Sequence, residues 1–389
     1  MMKRAIILLL DGVGIGELPD AYLYNDTGSN TLANLAKVIK DFKLPNLEKL
    51  GLGNIVNIPS VKKVKSPLVA YGKMAECSPG KDSTSGHWEL MGIILDKPFP
   101  TYPNGFPKEL IAEIEQAIGR KVIGNKPASG TEIINELGEE HIMTQRPIVY
   151  TSADSVFQIA AHEDVIPLSE LYKMCITIRK ILIGKHSVLR VIARPFTGRP
   201  GNFVRTKNRR DYSLPPPSLT LLDIAKEHKY EVVVIGKVDE LFAHRGYTVS
   251  FHSVNNNECF DYTLKAMAKY RQGIIFTNFI QFDMDWGHRN DCENFYQGLL
   301  AFDQRLPEII DNLTDDDILF ITADHGNDPT TPSTDHSREY VPILVYGRNI
   351  RGADLGIRKT FADLGQTIAE YLQLPALKNG TSFYKEIRL

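Results

Sequence analysis

Three hydroxyl side chains in a row, Ser83, Thr84 and Ser85, stand between Asp82 and Gly86 in the stretch GKDSTSGHWE. A serine or threonine attacks well only when a neighbouring base or a metal ion activates its oxygen. The stretch alone does not choose among the three. Candidate activating groups occur elsewhere, each behind an apolar run. Asp11 follows AIILLL, Asp324 and His325 follow LFITA, and His336 comes eleven residues later in TDHSREY. A third run, GIIFTNF, leads into IQFDMDWGHRND with Asp283, Asp285 and His288. One aspartate or histidine of this kind is usually a turn or cap residue; the constellation is not. Carboxylates and imidazoles without thiolates suit Mn²⁺, Zn²⁺, Mg²⁺ or Fe²⁺. There are ligands enough for two ions, the arrangement that clamps both oxygens of an in-line phosphoryl displacement.

Such residues need a scaffold. The runs AIILLL, EVVVIG, GIIFTNF, DILFITA and VPILVYG read as buried parallel strands. Apolar residues at helical spacing in 31–40, 107–118, 219–229, 260–271, 293–312 and 361–372 alternate with them, which predicts an α/β chain. In open parallel sheets, ligands sit at the carboxyl ends of the strands, where these acids fall. Two proline-rich stretches, KPFPTYP and SLPPPS, cannot continue a helix or a central strand. They read as an exit and a return, so that residues 98–216 form an inserted domain and 1–97 with 217–389 a discontinuous core.

The length of 389 residues allows two domains, and a formal charge of −2 gives no general field for nucleic acid or anionic membranes. Anion binding must then be local. The inserted segment carries RPFTGRPGNFVRTKNRRD, with Arg194, Arg199, Arg205, Lys207, Arg209 and Arg210 against Asp211, and guanidinium groups grip phosphate through charge-assisted hydrogen bonds. The N-terminal apolar run ends at Asp11, too short for a signal sequence or a membrane span. Four scattered cysteines, Cys77, Cys175, Cys259 and Cys292, fit reduced thiols and predict a cytoplasmic location.

The motifs LDGVGIGELPDA, GKDSTSGHWE, IGNKPASGTEI, YTSADSVFQIAAHE, VIARPFTGRPGNFVRT, and ITADHGNDP with TDHSREYVP occur in this order along the chain. Together they resemble the bacterial-type phosphopentomutases of the alkaline phosphatase superfamily. The resemblance implies a metal-binding core with a mostly parallel sheet flanked by helices, plus an inserted α/β cap domain that closes to exclude water. It implies two divalent ions, Mn²⁺ by expectation, one held by Asp11, Asp324, His325 and the Ser83 oxygen, the other by Asp283, His288 and His336. The family nucleophile, usually threonine, follows the Asp of a Lys-Asp pair and precedes the His of GHWE by four residues. That position is Ser83, so serine replaces threonine here. A second departure is Gln281, where an acidic residue is expected. The implied reaction interconverts ribose 1-phosphate and ribose 5-phosphate, and the deoxyribose pair, through a phosphoserine and a sugar bisphosphate, with glucose 1,6-bisphosphate as activator. Arg194, Arg205, Arg209 and Lys237 are the expected partners of the distal phosphate, and Ser152 and Asp154 those of the pentose.

Overall fold

Every side chain of RAIILLL is buried, as a strand covered on both faces requires, and in the computed structural model the run forms strand β1 (Arg4–Leu10). The structure describes residues 2–152 and 154–389. Within them the strands after β1 are β2 (Ala70–Met74), β3 (Ile123–Pro127), β4 (Ile148–Thr151), β5 (Val156–His162), β6 (Arg190–Arg199), β7 (Asn202–Arg205), β8 (Arg210–Ser213), β9 (Val232–Ile235), β10 (Val249–Phe251), β11 (Gly273–Phe279), β12 (Asp317–Thr322), β13 (Val341–Tyr346) and β14 (Ala353–Arg358). The chain divides into two units, one of Met1–Lys97 with Pro216–Leu389 and one of Pro98–Pro215.

The first unit is built on an eight-stranded sheet in the order β10-β9-β11-β1-β12-β13-β2-β14. From β10 to β12 the strands are parallel. The run VPILVYG departs from expectation: it forms β13, which lies antiparallel to both β12 and β2. A parallel return needs a crossover, and residues 323–340 contain no helix to make one. Buried Arg4 clamps the start of β1 to the start of β12, donating from Nε and Nη2 to the two oxygens of Asp317 at 2.8 and 2.7 Å. This bidentate pair fixes the register of the two strands at the edge opposite their carboxyl ends. The helices Thr31–Val38, Leu221–Glu227, Asn256–Lys269, Cys292–Asp311 and Ala362–Leu372 fall on segments of helical periodicity. No helix among the described residues is long and apolar enough to cross a membrane.

The second unit carries the sheet β3-β4-β5-β6-β7, with β8 also paired to β6. Its two faces follow from the alternation of side chains along each strand. Val149, Phe157, Ile159 and Val191 pack with Leu110 and Ile114 of the helix Lys108–Ile118 and with Leu171, Met174 and Ile178 of the helix Leu168–Ile181. On the other face Ile148, Tyr150, Phe196 and Phe203 pack under Ile133 and Ile134 of the helix Gly130–Thr144. The apolar face of that helix is broken at Gly138, which blurs its helical periodicity in the sequence. A side chain there would meet the Phe203 ring at 2.4 Å, so glycine lets helix and strand approach.

Candidate metal centre

Strands β11, β1 and β12 are neighbours in register, Leu10 opposite Phe279 and Leu9 opposite Thr322. Their carboxyl ends therefore bring together segments far apart in sequence. Asp11 continues β1. Asp324 and His325 follow β12, and beyond β11 the chain tightens into a π-helical turn, Phe282–Trp286, that carries Asp283. A 3-10 turn, Gly287–Arg289, then presents His288. His336 arrives on the return segment to β13.

Two groups of ligand atoms result, Asp11, Asp324 and His325 in one and Asp283, His325 and His336 in the other, with the atoms of each group within 4.8 Å of one another. His325 Nε2 is the hub. It lies 3.0 Å from Ser83 Oγ, 3.3 Å from Asp11 Oδ1 and 3.4 Å from Asp324 Oδ2. His336 Nε2 is 3.1 Å from Asp283 Oδ1, and His288 Nε2 is 3.3 Å from Asp283 Oδ2. The carbonyls of Gly326 and Thr334 can only accept, so His325 and His288 donate to them from Nδ1, at 3.0 and 2.7 Å. Both rings thus turn Nε2 toward the carboxylates, the orientation a metal ligand needs.

Three buried atoms in this cluster, Asp11 Oδ1, Asp324 Oδ2 and His336 Nε2, have no hydrogen-bond partner. Buried polar atoms without partners are costly, and convergent oxygen and imidazole donors of this kind fit a divalent cation. Burial and mutual charge set the ionisation of the cluster. Burial raises the Asp11 carboxyl, and the charge of Asp324 raises it further. Burial also opposes charge on Asp283, but His336 and His288 outweigh it and hold the carboxyl well below its usual range. His288 is lifted to about 9, mainly by its hydrogen bond to Asp283. For His325, burial is overcome by Asp324 and Asp11, which hold the imidazole well above its ordinary value.

The three hydroxyls of GKDSTSGHWE are separated by local geometry. Asp82 caps the helix Ser83–Leu90, accepting from Ser85 N at 3.0 Å, and Ser85 Oγ donates back to Asp82 Oδ2 at 3.0 Å. Ser85 is thus engaged in the cap and buried. Ser83, in the first helical turn, is the hydroxyl beside His325. Gly86 lets that helix touch the loop of Asp324 and His325, since a side chain there would meet the Asp324 carbonyl oxygen at 2.2 Å.

The residues around the ligands were harder to read from sequence. His87, fully buried and stacked on Phe276, donates from Nδ1 to the Ser83 carbonyl at 2.8 Å and lies 3.0 Å from Asp324 Oδ2. It ties the turn of Ser83 to Asp324. Asn278 donates to Asp11 Oδ2 at 3.0 Å and Asn327 to Asp283 Oδ1 at 2.7 Å. Their signal was faint: Asn278 is the polar residue near the end of GIIFTNF, and Asn327 stands three residues past Asp324. Arg338, buried, donates to Glu76 Oε2 and to the carbonyls of Ser78 and Gly80, which holds the segment leading into the Ser83 helix. Gln281 donates from Nε2 to Asp285 at 2.9 Å and accepts from Asn256 N at 2.8 Å. A carboxylate at 281 would repel Asp285 instead.

The expected substrate residues lie outside this cluster. Arg194, Arg205 and Arg209 belong to the second unit. Arg194 Nε donates to Gln158 at 3.1 Å, and Arg209 forms a bidentate pair with Asp211 at 2.6 Å. Exposed Arg205 ends β7. Ser152 and Asp154 follow β4, and the carbonyl of Asp154 accepts from Val156 N. Lys237, in the first unit, points Nζ at Met284 Sδ, 3.0 Å away.

Residues 3–376 match the metalloenzyme superfamily. A phosphopentomutase of Dictyoglomus turgidum is 62% identical over 387 residues, covering 99% of this chain and 98% of its own. A phosphopentomutase of Caldanaerobacter subterraneus subsp. tengcongensis is 58% identical over 390 residues, covering 100% and 99%. Among solved structures, a phosphoglycerate mutase of Leishmania mexicana superposes with a TM-score of 0.50 at 13% identity, covering 98% of this chain and 97% of its own. That likeness speaks for the fold alone.

Proposed function

The chain belongs to the phosphopentomutase family of the metalloenzyme superfamily and is a metal-dependent isomerase, and from this premise we propose its substrates and its nucleophile. The substrates are ribose 1-phosphate and ribose 5-phosphate, with the 2-deoxyribose pair, and Ser83 carries the phosphoryl group between them. One observation supports this reading above the rest: Ser83 Oγ lies 3.0 Å from His325 Nε2, at the meeting point of carboxylate and imidazole atoms that lack other partners.

Asp11, Asp324, His325 and Ser83 would hold one divalent ion, and Asp283, His288 and His336 the other. Two such ions, Mn²⁺ in this proposal, supply positive charge against the phosphoryl oxygens and against the Ser83 oxygen as it leaves. The remaining work falls to the chain. Phosphorylated Ser83 gives its group to the free hydroxyl of the pentose phosphate: the Oγ–P bond breaks, a sugar O–P bond forms, and the hydroxyl proton ends on the released Ser83 oxygen. Ser83 then takes the other phosphate from the bisphosphate. His87 holds the Ser83 backbone while Oγ changes partners. Arg194, Arg205, Arg209 and Lys237 are proposed for the phosphate that does not react, and Ser152 and Asp154 for the pentose hydroxyls. A sugar bisphosphate such as glucose 1,6-bisphosphate would prime the enzyme, and the cytoplasm is the proposed location.

The deciding experiment incubates Mn²⁺-loaded protein with ribose 1-phosphate and a trace of glucose 1,6-bisphosphate, following ribose 5-phosphate and free phosphate together. Ribose 5-phosphate without stoichiometric free phosphate is the expected result. Free phosphate alone would replace the isomerase substrates with a hydrolytic reading.

A further inference from the structure

A cleft of about 210 Å³ opens in the first unit between the helices Asn256–Lys269 and Cys292–Asp311, beside the turn Phe282–Trp286. It has no part in the chemistry described so far. Its apolar walls are the rings of Phe260, Trp286 and Phe302. Trp286 is held from two sides. The Phe282 ring meets it edge-on at 5.4 Å, and a Cβ on Gly298 would lie 2.2 Å from the indole, so glycine lets the ring rest against the helix. An apolar cavity of about 150 Å³ is enough to hold benzene. The larger cleft has room for two fused rings.

The rim is made of carboxamides, those of Asn256, Asn257, Gln281, Asn294 and Gln297, and no residue lining the cleft is charged. Arg305, over the Phe260 ring at 4.8 Å, is already paired with Asp261 and Glu308. An anionic ligand therefore meets no unpaired counter-charge there. Neighbours fix the sense of the amides. Gln281 N donates to Asn256 Oδ1 at 3.2 Å and Asn256 N donates to Gln281 Oε1 at 2.8 Å, which leaves the buried Asn256 Nδ2 as a donor without a partner. Asn294 Nδ2 donates to Asp291 at 2.7 Å and Gln297 Nε2 to Glu293 at 2.9 Å, so each keeps its carboxamide oxygen as an acceptor. A buried donor without a partner marks a missing acceptor. Aromatic walls suit a flat ring, and carboxamides of fixed sense suit the edge of a nitrogen heterocycle, the pairing that Asn and Gln make with adenine.

We infer that this cleft binds a purine base, with its rings against Trp286 and its edge between Asn256 and the carboxamides of Asn294 and Gln297. The inference is independent of the isomerase reading above, because neither the ligands of the candidate metal centre nor the arginines of the second unit line the cleft.

The chain has two tryptophans and Trp88 is fully buried, so tryptophan emission reports on Trp286. Adenine is titrated into the full, metal-loaded chain with that emission as the readout. Saturable quenching with a Kd on the order of 1 mM or tighter is expected, as stacking with a few neutral hydrogen bonds provides. An excess of ribose 5-phosphate should leave it unchanged. Ala301→Leu extends a larger side chain into the cleft from an exposed helix position and should weaken binding roughly tenfold. Asn294→Ala/Gln297→Ala, at two exposed positions, should weaken it by a similar factor, roughly tenfold, through two lost hydrogen bonds. Benzimidazole, of the same bicyclic shape but without the pyrimidine nitrogens, should also bind roughly tenfold more weakly than adenine. Quenching that never saturates, that is unchanged in either variant, or that ribose 5-phosphate abolishes would overturn the site. Equal affinity for benzimidazole would overturn the purine assignment and leave an apolar cleft only.

Discussion

Ser83 and Thr84 are adjacent hydroxyls with different surroundings, and substitution should separate them. Ser83→Ala is expected to abolish both phosphoenzyme and isomerase activity, because Ser83 Oγ lies 3.0 Å from His325 Nε2. Thr84→Ala should retain both. Transfer of labelled phosphate from glucose 1,6-bisphosphate to the protein checks this, and the reverse pattern would move the nucleophile to Thr84. His87 is the second residue whose role can be isolated. His87→Phe keeps a ring against Phe276 but removes the donor to the Ser83 carbonyl and the nitrogen that lies 3.0 Å from Asp324 Oδ2. Outer partners of metal ligands are commonly worth about 10–100-fold in metal affinity or activity. Calorimetric titration of Mn²⁺ should show a loss of that order, and an unchanged affinity would reduce His87 to packing.

At the scale of elements, the helix Ser83–Leu90 and the loop after β12 must touch for serine and ligands to meet. Gly86→Ala forces a methyl onto the Asp324 carbonyl oxygen, where a Cβ would lie only 2.2 Å away. Overpacking of this kind costs about 1–3 kcal/mol, and here the displaced group is backbone next to a ligand. Lowered stability in urea and weakened metal binding are expected together; a variant melting and binding like wild type would disprove this packing. The loops around the site meet at Glu339, which accepts from Gly16 N, Thr31 N, Thr31 Oγ1 and Ser337 Oγ. Burial lifts its carboxyl from 4.5 to about 7. A raised acid keeps its proton in the folded chain after the unfolded chain has released it. Its contribution to stability is therefore complete below 4.5 and is lost as pH rises through about 7. The difference in unfolding free energy between wild type and Glu339→Gln should fall between pH values on either side of this window. A pH-independent difference would contradict the shift.

For the whole molecule, the candidate metal centre gathers Asp11, Asp283 and Asp324 in one buried volume. A ligand that binds only the folded chain stabilises it by mass action, by about 2.7 kcal/mol at a concentration roughly a hundred times Kd. Chelation should therefore lower the melting temperature, and Mn²⁺ should restore it. A melting curve indifferent to both would argue against a metal in this cluster. All four cysteines are free, so the same scan in reductant should not change.

The central strands were legible because a strand covered on both faces is apolar along most of its length, as β9 is throughout and β1, β11 and β12 are through their middles. The acids behind them were legible for the same reason, since a charge that follows a buried strand marks its exit. The strands of the second unit were not: β4 is only four residues long, Gln158 and His162 interrupt β5, and β3, β6, β7 and β8 mix apolar residues with arginine, glycine or proline. Nor was the direction of β13, which depends on the path of residues 323–340 rather than on composition. The sequence by itself determined the family, through motifs in a set order, and the residue types able to hold metal. Which of them meet was decided by the order β11-β1-β12, which sets three strand ends side by side and makes His325 the hub. Local sequence carries little trace of that order, nor of His87, Asn278 and Asn327, because their contacts join segments that only the folded sheet brings within hydrogen-bond reach.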